Sequence, residues 1–355
     1  MRTNVNRGGA ARRGRGFALV ELAAVVMVAL VLAALILAMG ADSRRQARLG
    51  DDIANLRQIG AWTVAYAADN QDQYWSFSWP KGAMLSQYDD LNAQAQTGAS
   101  EAASAQAVDI LRRIAGREDI APIVTWFASN NYAHLPLREH LRLPIADTAM
   151  VSSMDGHRLK WVREPAGFDH GLYQPAPTPA APGTNSGKRW PYSSSFMIST
   201  AFYDKSTVEN RVFTGGGTQG SYFVPGGCVL GAYALSDAAY PSAKAHVHDQ
   251  YARHFGTRMP YCVHPQARLP ILFCDGAVAV RGASESNPGW QPNSPTNPNP
   301  IVFTHAPQPW EPPTMIGFSS EILAAGSFRW TRGFLAGRDF DGPEACTGQG
   351  GPACP

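Results

Sequence analysis

A long apolar run near the N-terminus dominates the hydrophobic pattern of the chain. Residues 17–39 are apolar except for Glu21. As a helix with a rise of 1.5 Å per residue they would extend about 35 Å, enough to cross a bilayer core of roughly 30 Å. Five arginines and no acidic residue precede the run, which favours a cytoplasmic N-terminus. The pattern predicts a transmembrane helix over residues 17–39, with the chain after it outside the cytoplasm. A cleaved secretory signal peptide is the alternative, but the run is long for one.

The next thirty residues carry an amphipathic helical pattern. Apolar residues recur at Leu49, Ile53, Leu56 and Ile59, at spacings of four, three and three. Gly50 weakens such a helix without ending it. Residues 40–70 are therefore predicted to continue the first helix as a spine for the domain that follows.

From residue 71 the pattern breaks into short apolar segments, which predicts a loop-rich head over residues 71–355. Residues 99–117 predict a surface helix, and residues 174–183 and 288–313 are rich in proline. Strands are clearest over residues 269–281, where two apolar runs flank Asp275 and Gly276, a pair typical of type I′ hairpin turns. The predicted fold class is α+β: a long N-terminal transmembrane and spine helix packed on an antiparallel sheet.

Charge changes this picture only at the N-terminus. The formal net charge is +2, yet without the five leading arginines 25 basic residues face 28 acidic ones. The main part of the chain thus has no general electrostatic attraction for nucleic acid, and no nucleic-acid partner is predicted. Glu21 needs an explanation, because a carboxylate inside an apolar helix is costly without a partner.

Gly16, Phe17 and Glu21 together resemble the N-terminus of type IV prepilins and pseudopilins of type II secretion systems. The shared features are a basic leader (residues 1–16), then glycine, phenylalanine, three apolar residues, a glutamate and an apolar stretch. The resemblance implies that prepilin peptidase cleaves after Gly16 and that Phe17 becomes the N-methylated N-terminus. Glu21 would then face the terminal amine of a neighbouring subunit during assembly.

The implied function is that of a pilin-like subunit, or a minor component, of a type IV pilus or type II secretion pseudopilus. Its implied partners are prepilin peptidase, other pilin-like subunits, the assembly platform and the inner membrane. The implied location is a single-pass inner-membrane protein whose head is periplasmic or exported in a fibre. The Asp275-Gly276 pair also resembles the C-terminal His-X9-Asp-Gly motif of prepilin-like proteins, although ten residues separate His264 from Asp275.

No constellation in the sequence predicts an active site, so the protein is not expected to be an enzyme. His246 and His248 have the spacing of zinc ligands on one strand face, with His254 and His264 nearby, but no second cluster completes a site. Asp339, Asp341 and Glu344 could ligate calcium, as a C-terminal loop does in some pseudopilins, and a solvated turn is the alternative. Apart from such a calcium ion, no cofactor is predicted.

Five cysteines outside the cytoplasm predict disulfides with one thiol left over. Cys346 and Cys354 close a short tail and form the natural pair. Cys262 and Cys274 flank the first strand of the hairpin, and Cys228 could replace either.

Two other classes of function stay open. One is a membrane-tethered extracytoplasmic module that binds a glycan or an envelope protein and uses the prepilin segment only as an anchor. The other is a periplasmic hydrolase with the same anchor, which would need a convergent acid–base or metal site.

Overall fold

The computed structural model describes most of the chain after the leader. The described residues are 19–123, 131–144, 146–173, 187–203, 214–215, 217–219, 222–223, 230–231, 233–288, 302–324, 327–329 and 334–344. The chain divides into two compact units, residues 1–47 and residues 48–355.

Six α-helices lie in the described residues, all of them before the first strand in the chain. They are α1 (Leu19–Asp69), α2 (Asp89–Ala95), α3 (Ala99–Ala115), α4 (Leu135–His140), α5 (Gly156–Arg163) and α6 (Pro165–Asp169). The sequence predicted α3 correctly as a helix but wrongly as a surface one, since it is buried from Ala102 to Arg112. Its alanines let α2 and α4 approach closely, and its glycine C-cap, Gly116, adopts the left-handed conformation.

The core of the larger unit is an antiparallel four-stranded sheet with the order β1-β4-β5-β6. These strands are β1 (Phe196–Ile198), β4 (Ala245–Asp249), β5 (Arg268–Phe273) and β6 (Val278–Gly282). Two smaller antiparallel pairs are β2 (Thr214–Gly215) with β3 (Tyr222–Phe223) and β7 (Val302–His305) with β8 (Glu321–Ala324).

The fold class expected from the sequence is wrong at its N-terminal element. Among the described residues, no helix combines the length and the apolar character needed to cross a membrane. The buried positions of α1 begin only at Leu49, within the larger unit. The segment that packs there is the amphipathic stretch through Leu56 and Ile59, so α1 is not the long spine of a pilin-like head.

The predicted hairpin at Asp275 and Gly276 is present, but its turn differs from the expected type. Phe273 N–H donates to the carbonyl of Ala277 (2.8 Å), and Gly276 N–H donates to that of Phe273 (3.0 Å). Gly276 has a φ of +84°, whereas Asp275 has no positive φ. The loop is therefore a three-residue type I turn that ends in a left-handed glycine, not a two-residue type I′ turn. The Asp275 carboxylate accepts the Ala277 N–H (2.9 Å).

Candidate functional site

The residues predicted for processing and assembly lie at the start of the chain. Gly16 and Phe17 fall outside the described residues. Glu21 lies in the first turn of α1 and is exposed. The structure describes the position of Glu21 alone among these three residues, and the roles of all three stay predictions.

The apolar residues around Glu21 are exposed on α1. Side chains of this part of the helix retain between 48% and 83% of their accessible surface, with Leu19 at the upper end and Val26 at the lower. Leu22, Val25, Leu30 and Leu32 are exposed to similar extents. A run of large apolar side chains on one helix marks an interaction surface rather than an ordinary solvated face.

The three residues considered for calcium contact different groups. Asp339 is buried, accepts the Ala245 N–H (2.8 Å) and lies 3.3 Å from the ammonium group of Lys244. Asp341 pairs with Arg281 at 2.5 Å on the surface. Glu344 is half-buried. Among the described residues no three histidine, cysteine or acidic side chains group as metal ligands, and calcium binding here stays a prediction.

The histidines with zinc-like spacing are separated by their surroundings. The His246 ring packs against Phe202 (centroids 4.6 Å apart) and Tyr74 (4.9 Å), whereas His248 packs against Phe328 (4.8 Å). Burial lowers the pKa of His246 to about 3 and that of His248 to about 4. Both rings are therefore neutral core residues at physiological pH.

Of the five cysteines, two lie in the described residues. Cys262 and Cys274 are both free thiols, so the pair proposed between them is not formed. Burial raises the pKa of each thiol to about 12, which makes them unreactive at neutral pH. Cys228, Cys346 and Cys354 lie outside the described residues.

The most unusual chemistry of the larger unit is a buried group of ion pairs that the sequence did not single out. Asp155 is the N-cap of α5, and its carboxylate accepts bonds from Arg158 (2.7 Å) and Arg253 (3.0 Å). Arg253 also contacts Asp249, the last residue of β4, at 3.1 Å. All four side chains are at most 4% exposed. We call these four residues the ionic core.

Burial and opposite charge compete in setting the pKa values of the two carboxyl groups of the ionic core. Burial alone would raise the pKa of Asp155, but Arg253 and Arg158 outweigh it and hold that pKa well below its usual range. For Asp249, burial outweighs Arg253, and its pKa is raised. This difference between the two carboxyl groups agrees with their bond lengths. Asp155 accepts bonds of 2.7 and 3.0 Å from two arginines, whereas the bonds from Arg253 to Asp249 are longer, at 3.1 and 3.2 Å.

The network continues from the ionic core towards the β7–β8 pair. Arg158 lies 3.6 Å from Glu311, which accepts a bond from the Tyr251 hydroxyl (3.1 Å). The same hydroxyl lies 3.2 Å from Nε2 of His305, whose Nδ1 donates to Glu321 (3.2 Å). An ion pair and hydrogen bonds thus link α5, the segment around Tyr251 and the β7–β8 pair, and the bonds to Glu311 and Glu321 are the stronger kind because their acceptors are charged.

Asp52 joins the amphipathic part of α1 to the same region. Its fully buried carboxylate accepts bonds from the Ser152 hydroxyl (2.5 Å), the Ser153 N–H (2.7 Å) and Nε2 of His254 (2.7 Å). Ser152 and His254 both bond the carboxylate rather than each other. This arrangement lacks the serine-to-histidine bond of a nucleophilic triad, and its groups are sealed from solvent. These bonds hold α1 against the segment that carries Ser152 and Ser153.

A sequence signal for the ionic core existed but was ambiguous. Asp155 precedes Arg158 by three residues and Asp249 precedes Arg253 by four, spacings that also occur on solvated helix faces. Only the tertiary contact between Arg253 and Asp155, 98 residues apart, distinguishes a buried network from two surface pairs.

No protein-family model, curated protein or solved structure matches this chain.

Proposed function

We propose that this protein is a pilin-like or pseudopilin subunit of a type IV pilus or type II secretion system, in which prepilin peptidase cleaves after Gly16 and Phe17 becomes N-methylated. The observation that best supports this proposal is the row of exposed apolar side chains in α1 from Leu19 to Leu32. Each large aliphatic side chain left in water costs about 1.5–3 kcal/mol relative to its burial. Lateral packing of the same helix from neighbouring subunits would bury the row.

The position of Glu21 supports this assignment. It lies among the exposed apolar residues, so packing by neighbours would remove its carboxylate from water. A carboxylate buried in that way needs an opposite charge. The amine of Phe17 on a neighbouring subunit, released by cleavage after Gly16, would supply it.

The larger unit supports a structural role for the head. Its charged side chains in the ionic core are sealed and paired, an arrangement that holds loops in place. Such a head fits the work of a subunit whose contribution is assembly and display.

The test is to follow Glu21→Ala and Glu21→Lys in cells of the native host. Both variants should be synthesised and lose the leader normally, with mass spectrometry finding N-methyl-Phe17 at the mature N-terminus. Both should be reduced in sheared fibres. Glu21→Lys should be the more severe, because two cations would then face each other, and breaking a buried pair costs roughly 3–5 kcal/mol.

The matched control is Asp51→Lys, which reverses an exposed carboxylate on the same helix and should leave fibre incorporation unchanged. If Glu21→Lys enters fibres at the wild-type level, the subunit assignment is wrong and a tethered binding module becomes the better interpretation. A mature protein that retains residues 1–16 would contradict the processing route.

A further inference from the structure

A cleft of about 590 Å³ lies beside the end of α4, away from the ionic core. Its walls come from the last turn of α3 and from residues 138–143. Three arginines line it: Arg113, Arg138 and Arg142. Such a concentration of guanidinium groups around a concave surface is a feature of sites that bind anions.

Arg138 is the deepest cation of the cleft. It is only 5% exposed, and one of its terminal nitrogens donates to the carbonyl of Pro144. No carboxylate among the described residues forms an ion pair with it; Asp147 acts on it only at longer range. A guanidinium has five N–H donors, so this buried side chain keeps donor capacity that a ligand in the cleft can use.

The negative charge of the lining is already neutralised. Glu139 is the only carboxylate among the described residues that line the cleft, and it pairs with Arg113. Arg113 also bonds Asp109 at 2.6 Å. His140, which faces the cleft, lies 3.2 Å from Asp69. Arg138 and Arg142 are therefore the cations that remain for a ligand.

Arg142 adopts a backbone conformation that is unfavourable for its side chain. Its φ is +52°, and it occupies the position after the α4 C-cap that glycine normally takes in a Schellman motif. The two backbone bonds of that motif are present. The Leu143 N–H donates to the carbonyl of Arg138 (3.1 Å), and the Arg142 N–H donates to the carbonyl of Glu139 (3.0 Å). An arginine at a position where glycine would relieve strain, with its side chain lining the cleft, points to a role for that side chain.

We propose that this cleft binds a small ligand through an oxyanion, either a phosphate or a carboxylate group, held by Arg138 and Arg142. The fork of a guanidinium matches both groups in two-bond geometry. The cleft is larger than a free phosphate ion, so the oxyanion would be one end of a larger molecule such as a sugar phosphate or a sugar acid.

The test is calorimetric titration of the purified full-length chain with glucose 6-phosphate and, separately, with glucuronate, at constant ionic strength. At least one of the two should bind saturably. Binding of the phosphate alone or of the carboxylate alone identifies the source of the oxyanion, and neutral glucose should not compete.

Two variants locate the binding. Arg142→Gly removes an exposed cation and suits the backbone, so it should fold normally while weakening binding by about tenfold, as expected for the loss of one charged hydrogen bond. Arg138→Met should abolish binding. Arg281→Met removes an arginine that pairs with Asp341 elsewhere and should bind like the wild type.

Absence of saturable binding by both probes overturns the proposal. So does unchanged affinity in Arg142→Gly, which remains informative even if Arg138→Met fails to fold. Because Glu21 and fibre incorporation are not involved, this result is independent of the outcome for the assembly role.

Discussion

Replacement of Asp155 by alanine is expected to be among the most destabilising single changes in the head. The carboxylate accepts bonds from Arg158 (2.7 Å), Arg253 (3.0 Å) and the Ser195 hydroxyl (2.8 Å). Its removal leaves two buried guanidinium groups in close proximity with one anion fewer. Both would have to be desolvated without full compensation, which is more costly than the loss of the bonds themselves.

The loss in the free energy of unfolding depends on which contacts the two arginines keep in the variant. Arg253 keeps its contacts with Asp249, whereas Arg158 keeps a neutral partner, the Ser193 hydroxyl (3.0 Å), and the longer contact with Glu311 at 3.6 Å. Removal of one partner of a buried pair costs roughly 3–5 kcal/mol. We expect Asp155→Ala near the upper end of that range, a large part of the 5–15 kcal/mol that stabilises a typical domain. Asp155→Asn keeps the shape and should cost about 2–3 kcal/mol.

The measurement is urea unfolding at pH 7, followed by tryptophan fluorescence, with Asp341→Ala as the control. Asp341 also pairs with an arginine, Arg281, but its side chain is 50% exposed. A surface pair of that kind contributes about 0–1 kcal/mol. Because Asp341 has a φ of +56°, its alanine variant also carries about 1 kcal/mol of backbone strain. A loss in Asp155→Ala that clearly exceeds the loss in Asp341→Ala therefore measures burial rather than the mere presence of an ion pair.

The pH dependence gives a second check with a defined sign. The pKa of Asp155 is lower in the folded protein than its ordinary value, so its contribution to stability is complete above the ordinary pKa of about 4. As pH falls below about 4, the unfolded chain binds the proton first and the contribution declines. The difference between wild type and Asp155→Asn should shrink there. A wild-type free energy of unfolding for Asp155→Ala would refute the reasoning about the ionic core.

Two further predictions concern single positions in the core. His246→Phe should flatten the pH dependence of unfolding by about 1.4 kcal/mol per pH unit between pH 4 and 6. Burial lowers the pKa of His246 to about 3, so the wild type loses stability as pH falls below the pKa of about 6.5 that a histidine has in the unfolded chain. Urea unfolding at each pH measures this slope. The same slope in His246→Phe and the wild type would contradict the prediction. Gly231→Ala should lower the free energy of unfolding by about 2–3 kcal/mol, because φ is +74° and an added Cβ would lie 2.8 Å from the Phe77 carbonyl oxygen. Gly116→Ala, at φ +61° with open space around it, is the control and should cost about 1 kcal/mol; equal losses in the two variants would show that steric contact with Phe77 is irrelevant.

Local patterns predicted local structure better than they predicted burial. The hairpin around Gly276 follows from strand-forming runs and a glycine that tolerates positive φ, both of which are properties of neighbouring residues. The helix at residues 99–115 also follows from its composition. Its burial does not, because alanine is compatible with either environment and only packing against α2 and α4 decides.

Charged residues were the main obstacle to predicting the site. Asp155 and Arg253 are 98 positions apart, and each resembles a solvated residue when only its neighbours in sequence are known. The sequence did not indicate Arg142 for a different reason. Its backbone has a left-handed φ, a conformation that sequence patterns predict for glycine rather than for arginine. Conversely, the zinc-like spacing of His246 and His248 was noticed because it is regular, although each ring is surrounded by aromatic side chains.

The part of α1 around Glu21 is exposed, whereas the part around Asp52 is buried. We therefore expect substitutions in the two parts to have different effects on folding and on the proposed assembly. Around Glu21 the large apolar side chains are exposed, so they contribute little to the stability of a single chain, and in the proposed subunit they would form its contacts with other chains. Around Asp52 and Thr63 the polar side chains are buried and bonded; Thr63, for example, accepts the indole N–H of Trp75 (2.8 Å). Changes near Asp52 would therefore reduce assembly only through loss of folded protein. A Glu21→Lys chain should instead unfold in urea like the wild type and still fail to assemble, a combination that a defect in folding cannot produce.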